Sequence, residues 1–218
     1  MLRNFTVLLI VAITATVSGC TRTHTEYWPN GLVLSEISQK GKDYHGPARW
    51  YYDDGTLQLE CIYRNNLLDG PMNRYYTTGI RKEEMYYRRN KLDSLYRLWD
   101  GEGRLVSEMH YTDSLPNGPY REFYPNGKVK TEGQYVKGSF DGTWLYYDDA
   151  ELIIGKGTFR MGNGSQSAYF SSGRIKMTTL YRDNLKDGDE TYYYPDGRMA
   201  EKKVFEKGIL KEIIKYPE

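Results

Sequence analysis

Little in this chain can do chemistry. It holds two cysteines and three histidines in 218 residues. His24, His45 and His110 stand far apart, and no two of them have metal-ligand spacing. No serine sits in a nucleophile-elbow context, and no glycine-rich loop opens onto a helix. Neither sign of charge is in excess: 30 Lys and Arg are set against 29 Asp and Glu. That excludes an electrostatic nucleic-acid binder, which would carry a strong basic surplus. Beyond the first twenty residues there is no long apolar run, and mean hydropathy is -0.73. Capped amphipathic helical stripes are missing too, because glycines arrive too often.

What the chain does have is tyrosine and glycine, 22 of each, and both keep a fixed phase. One glycine recurs at Gly46, Gly70, Gly118, Gly142, Gly164 and Gly188, with Ser94 in its place once. A second recurs at Gly31, Gly55, Gly79, Gly103, Gly127, Gly173 and Gly197, where Ala150 reads as the missing member. A closing aromatic recurs at Tyr63, Tyr87, Tyr111, Tyr135, Phe159, Tyr181 and Phe205. Each landmark keeps a 24-residue period, with one two-residue slip between Asp141 and Gly162. A fixed period of this length marks a solenoid or array, in which each unit needs its neighbour. Disordered chains are depleted in aromatics, so this one is expected to fold.

Within a copy, Asp-Gly-Pro reads as an opening turn. Short aromatic runs follow it: Arg49 to Tyr52, Arg74 to Tyr76, Arg121 to Tyr124, Thr191 to Tyr194. Asp-Gly and Asn-Gly then signal a hairpin. The next run alternates, with Leu57, Leu59, Cys61 and Tyr63 on one face, so it reads as a strand. Each unit is therefore expected to be a hairpin of about fourteen residues and a linker of about ten. The fold class is all-β, an elongated array of stacked antiparallel hairpins. Seven units would span on the order of 70 Å.

Three sets of residues attract attention. The aromatics before the second turn, Tyr51, Tyr75, Trp99, Phe123, Tyr146, Tyr169 and Tyr193, would form a side-by-side ladder in such a stack. The ladder serves either repeat packing or a platform for carbohydrate or lipid. A glutamate recurs at Glu36, Glu60, Glu84, Glu108 and Glu132. It is expected to pair with Arg49, Arg74, Arg97 and Arg121 on adjacent strands. Cys61 aligns with Met85 and Met109, which makes it an apolar filler and not a nucleophile.

Residues 1–19 differ from the rest. Arg3 is their only charge, and an apolar stretch runs from Phe5 to Val17, too short to span a bilayer. It reads as a secretory signal. Val17-Ser18-Gly19-Cys20 resembles the bacterial lipobox, whose cysteine is lipidated and becomes the first residue of the mature chain. The same residues also fit an ordinary signal with an incidental cysteine, or an uncleaved anchor. The reading adopted is a signal peptide over 1–19, lipidated Cys20 with a tether over 20–26, the repeat array over 27–210, and a tail over 211–218.

The units resemble MORN repeats (membrane occupation and recognition nexus), in their bacterial variant. Asp69, Gly70, Pro71, Tyr75, Tyr76, Gly79, Glu84 and Tyr87 carry the resemblance, as do Gly118, Pro119, Phe123, Tyr124, Gly127, Glu132 and Tyr135. Ser94-Leu95 and the stretch Ile153 to Gly164 depart from the pattern, which suggests an altered twist there. The resemblance implies a hairpin-array fold. Proteins of this kind are often labelled components of toxin–antitoxin systems, so an antitoxin-like role is one implied function.

Residues and resemblance together point to a non-enzymatic, membrane-anchored repeat protein without cofactor or metal. The expected role is a protein-interaction scaffold at the bacterial cell envelope. Its expected partners are an envelope protein and the membrane, through the lipid anchor, with no nucleic acid and no small-molecule ligand. Direct binding of envelope lipid or glycan by the aromatic ladder is the alternative.

Overall fold

A computed structural model describes residues 21–217. The described chain is all strand and turn. Its strands are β1 (Arg22–Tyr27), β2 (Val33–Lys40), β3 (Asp43–Tyr51), β4 (Leu57–Arg64), β5 (Leu67–Tyr75) and β6 (Arg81–Arg88). There follow β7 (Lys91–Leu92), β8 (Ser94–Trp99), β9 (Leu105–Thr112), β10 (Leu115–Phe123), β11 (Val129–Val136) and β12 (Ser139–Tyr147). The last are β13 (Ile153–Arg160), β14 (Asn163–Tyr169), β15 (Ile175–Arg182), β16 (Leu185–Tyr193), β17 (Met199–Glu206) and β18 (Ile209–Lys215). Each strand pairs antiparallel with the next, and β7 and β8 both lie against β6 as one interrupted strand. The result is an open meander with β1 and β18 as its edges. At ~4.8 Å per strand it extends on the order of 80 Å.

The strands are longer than the sequence suggests, and the supposed linkers belong to them. Asp-Gly-Pro is not a turn. Its glycine and the equivalents in other copies lie inside β3, β5, β10 and β16, where Gly46, Gly70, Gly118 and Gly188 hold φ values of 105, 142, 125 and 100°. At each one, three residues oppose a single residue of the preceding strand. In the first, His45, Gly46 and Pro47 face Ser38 alone, since Ala48 pairs with Ile37 and Tyr44 with Gln39. This is a bulge carrying two extra residues. Ser94 takes the same bend at φ 75°, which splits β7 from β8.

The bulge also explains the slip in period. β14 pairs with β13 without any register shift, from Arg160↔Asn163 to Gly155↔Ala168. That copy is two residues shorter because it lacks the bulge. An even deletion keeps every side chain on its own face, so the array continues in phase.

Two kinds of turn alternate along the two long margins. One is a three-residue loop such as Asp53-Asp54-Gly55, closed by Tyr52 and Thr56, with Gly55 at φ 87°. The other is a two-residue turn with both φ positive, such as Asn65 (50°) and Asn66 (66°), the twist-matched connection for a hairpin. These tight turns fall where a linker was expected, and they stack. The Asn66 N–H donates to the Tyr44 carbonyl at 3.0 Å, Asn90 to Leu68 at 2.8 Å, and Ser114 to Leu92 at 2.8 Å. Gly138, Gly162, Asn184 and Gly208 repeat the bond to Pro116, Phe140, Gly162 and Lys186. In the short copy Gly162 has no side chain to offer. Asn184 reaches past it, accepting from the Phe140 N–H at 2.8 Å and donating to the Gly138 carbonyl at 2.9 Å.

The ends also differ from expectation. Residues 22–26 of the supposed tether form β1, paired with β2 from Arg22↔Gln39 onward. The supposed tail is largely β18, paired with β17.

One face carries the core, as a row of residues facing one another across the sheet. Its first part is apolar: Ala48, Cys61, Met72 and Met85 are buried and paired in turn. In the middle, large rings sit over glycines. Tyr120 pairs with Gly133 and Trp144 with Gly157. A Cβ on Gly133 would fall within the Trp144 ring, and one on Gly157 would strike Phe159. In the last part the row turns polar: Gln166 pairs with Thr179, Thr179 with Glu190, and Glu190 with Lys203. Glu190 is only 2 % exposed. Its carboxylate accepts from Thr179 (3.1 Å), Tyr192 (3.0 Å) and Lys186. Burial pushes the Glu190 carboxyl up, but these hydrogen bonds and the Lys186 charge outweigh it and hold the group below its ordinary value. Beside this row the closing aromatics make ring contacts with residues of neighbouring strands, such as Tyr63 with Tyr44 at 5.5 Å and Tyr135 with Phe140 at 5.3 Å.

Two outcomes follow. Gly133→Ala must displace the Trp144 ring, and urea unfolding should show a loss of about 1–3 kcal/mol. Glu190 favours the folded state only while ionised. That contribution is full above about pH 4.3 and fades as pH falls through the lower folded value. Glu190→Gln should therefore be less stable than wild type at pH 7, with the gap narrowing as acid titrations pass below about pH 4.

Candidate interaction surface

The face opposite the core carries alternating charge from Glu36 to Glu132, with Asn73 in place of one arginine. Glu36 lies across from Arg49, Arg49 from Glu60, Glu84 from Arg97, Arg97 from Glu108, and Arg121 from both Glu108 and Glu132. Arg49 meets Glu60 at 3.8 Å, Arg97 meets Glu84 at 3.2 Å and Glu108 at 3.6 Å, and Arg121 meets Glu108 at 3.6 Å. Arg74 departs from the expected pairing. It stands one residue out of phase and meets Glu83 at 3.5 Å, while Asn73 takes the ladder position and donates to Glu60 at 3.1 Å. These side chains are about a fifth to a half exposed, so each pair contributes at most ~1 kcal/mol. Their alternation leaves a solvated strip of mixed sign.

Six of the seven ladder residues end their strands as a set: Tyr51, Tyr75, Trp99, Phe123, Tyr169 and Tyr193. Tyr146 does not, and Tyr147 holds the equivalent place. The reason lies in the following turn, where Glu151, at φ 66°, takes the position that glycine holds elsewhere. Its N–H closes the turn on the Asp148 carbonyl at 3.0 Å. Reading Ala150 as the glycine equivalent shifts that copy by one. Tyr146 instead belongs to the core face, with its hydroxyl 3.4 Å from Gln166 Oε1, and burial pushes its pKa up.

The ladder rings do not stack. Consecutive members sit two strands apart, ~10 Å, beyond ring contact. No aromatic contact among the described residues joins two of them. Two of them, and Tyr147 in the place of Tyr146, serve the charged strip instead. Tyr51 donates to Glu36 at 2.8 Å, Tyr75 to Glu60 at 2.9 Å and Tyr147 to Glu132 at 2.7 Å. The Arg81 guanidinium lies 5.6 Å from the Trp99 ring. Cys20 lies outside the described residues.

A second aromatic column was missed by the sequence reading. The residue after each ladder position opens the three-residue turn, and its side chain reaches the next copy. Tyr52 donates to the Tyr75 carbonyl at 2.8 Å, Tyr76 to Trp99 at 2.9 Å, Tyr124 to Tyr147 at 2.7 Å, and Trp28 Nε1 to Tyr51 at 3.2 Å. Asp100 and Asp148 hold the same position, and their carboxylates fold back on their own turns, accepting from Arg104 N–H and Leu152 N–H. The paired tyrosines at 51–52 and 75–76 were the visible signal for this column.

On the core face near the amino-terminal end there is an open trough of about 520 Å³. Trp50, Tyr52, Leu59, Tyr63, Arg74 and Lys82 line it, with Cys61 and Met72 at its floor. Burial pushes the Cys61 thiol up to about 11, so it is not a thiolate near neutrality. Among the described residues no group of three His, Cys, Asp or Glu could hold a metal ion.

The fold and surfaces together define a single-layer β-hairpin repeat array with both faces open. Within that class, the MORN repeat variant family matches residues 44–65, 116–137 and 186–207. These three stretches are similar to MORN-variant repeats, and each spans two strands and the three-residue turn between them. No curated protein matches the chain. Among solved structures, the crystal structure of TcdB2-TccC3-TEV resembles it at 11% identity and a TM-score of 0.23. That match covers 84% of this chain and only 12% of that one.

Tyr76→Phe removes an inter-repeat bond and should cost about 1 kcal/mol in urea unfolding. Tyr193, whose hydroxyl has no partner among the described residues, should tolerate Phe with a change within ~0.5 kcal/mol.

Proposed function

We propose that this is a non-enzymatic repeat protein, anchored to the membrane through Cys20, that serves as a protein-interaction scaffold at the bacterial cell envelope. The observation that carries this reading is the open single layer. Both broad faces of an ~80 Å sheet are free for contact, and repeat arrays use such extended surfaces for binding. The alternating Arg and Glu strip suits a protein partner, because it offers directional ion pairs of both signs with no net attraction for polyanions. The MORN-variant repeats agree with a role in protein or membrane interaction.

A second reading rests on the trough. Trp50, Tyr52 and Tyr63 beside Arg74 and Lys82 combine flat rings with cations, a chemistry that suits an anionic lipid headgroup or glycan.

The test compares the full chain with a Cys20→Ser form, each isolated from cross-linked cells for mass spectrometry of what accompanies it. One envelope protein recovered at near-equal amount with the anchored form supports the scaffold. Enrichment of lipid or glycan alone moves the function to the trough, and nothing above background rejects both readings.

A further inference from the structure

The two edges of the sheet are built differently. β1 reads Arg-Thr-His-Thr-Glu-Tyr and offers no aliphatic side chain. β18 reads Ile-Leu-Lys-Glu-Ile-Ile-Lys, with Ile209 61 %, Leu210 44 % and Ile213 49 % exposed. Among the described residues it pairs only with β17. Alternate N–H and C=O groups along its outer side therefore have no strand partner. Soluble proteins usually blunt such an edge with charge or proline, so an aliphatic edge is a pairing site.

We propose that β18 pairs antiparallel with β18 of a second copy, joining two arrays tail to tail into one continuous sheet. Strand direction favours this partner. β7 and β8 form one interrupted strand, so β1 and β18 run the same way. A head-to-tail junction that kept the core face on one side would be parallel, the less stable arrangement. Like meeting like across a two-fold axis is antiparallel and keeps the faces matched.

One register satisfies both charge and face. It sets Lys211 opposite Glu212 of the second copy, Leu210 opposite Ile213, and Ile209 opposite Ile214. The exchange occurs twice, once on each side of the axis. The β18–β17 pairing fixes the faces. Leu210 and Ile213 lie across from Phe205 and Lys203 on the core side, whereas Ile214 and Ile209 lie across from Lys202 and Glu206 on the other. A bulge places Lys211 and Glu212 together opposite Val204, so both charges reach the same side. Sliding the pair by one residue sets Glu212 against Glu212, or Lys211 against Lys211, and turns aliphatic residues to the wrong face. Within its own chain Lys211 meets Glu206 at 3.2 Å. Glu212 has no ion pair among the described residues.

The test is sedimentation equilibrium of the full chain in density-matched detergent, on wild type, Glu212→Lys, Lys211→Glu and the double exchange. Circular dichroism of each would show that the sheet is kept. The expected result is twice the monomer mass for wild type at micromolar concentration. Each single variant should weaken association at least tenfold, and the double exchange, which restores opposite charges across the axis, should recover it. A wild type that stays monomeric at about 100 µM overturns the proposal. So does a mass that climbs beyond two copies, or a dimer indifferent to the single substitutions.

Discussion

The whole array depends on hydrogen bonds between one repeat and the next. A single-layer sheet has no second layer to bury its apolar face, and its buried core reduces to a narrow band along one face. What holds neighbouring hairpins in register, beyond the strand ladders, is a clasp at each margin. At the tight turns, a backbone N–H donates to the carbonyl 22 residues earlier, from Asn66 through Gly208. At the three-residue turns, the hydroxyl of Tyr52, Tyr76 or Tyr124 reaches the next strand end. The 24-residue period is the spacing that brings these groups together. Its one exception, the copy without a bulge, is bridged by Asn184.

The core row shows how a repeat protein can vary composition at one structural position. Methionine and cysteine fill it near the amino terminus, rings over glycine fill the middle, and a hydrogen-bonded carboxylate fills it near the carboxyl terminus. Each solution works because its immediate neighbours are matched to it: Gly133 to Trp144, and Thr179 with Lys186 to Glu190. Such local matching is what nearest-neighbour stability permits.

Much of this was legible in the sequence. Period, alternation and turn glycines gave an all-β hairpin array, and the Cys61–Met85 alignment placed the core face. The errors have common physical roots. A glycine at positive φ signals a turn and a bulge equally well, so Asp-Gly-Pro was read as a turn while the Asn65-Asn66 type of turn passed for a linker. Glu151 adopts a left-handed conformation without being glycine, which displaced the ladder residue from Tyr147 to Tyr146. The ends, short and polar or lacking a full repeat, became strands only because each has a neighbour to pair with. The inter-repeat reach of Tyr52 and its equivalents is a three-dimensional relation, and adjacent letters do not reveal it.

Nearest-neighbour contacts alone carry this extended single layer. Small-angle X-ray scattering from residues 21–218 carrying Glu212→Lys, which keeps single copies apart, beside the same chain lacking one full 24-residue unit, tests it most directly. The account predicts a maximum dimension on the order of 80 Å that shortens by about 10 Å when the unit is removed, with β content kept. A radius of gyration near ~16 Å, the value for a compact chain of this length, or collapse of the shortened chain into an unfolded ensemble, would contradict it.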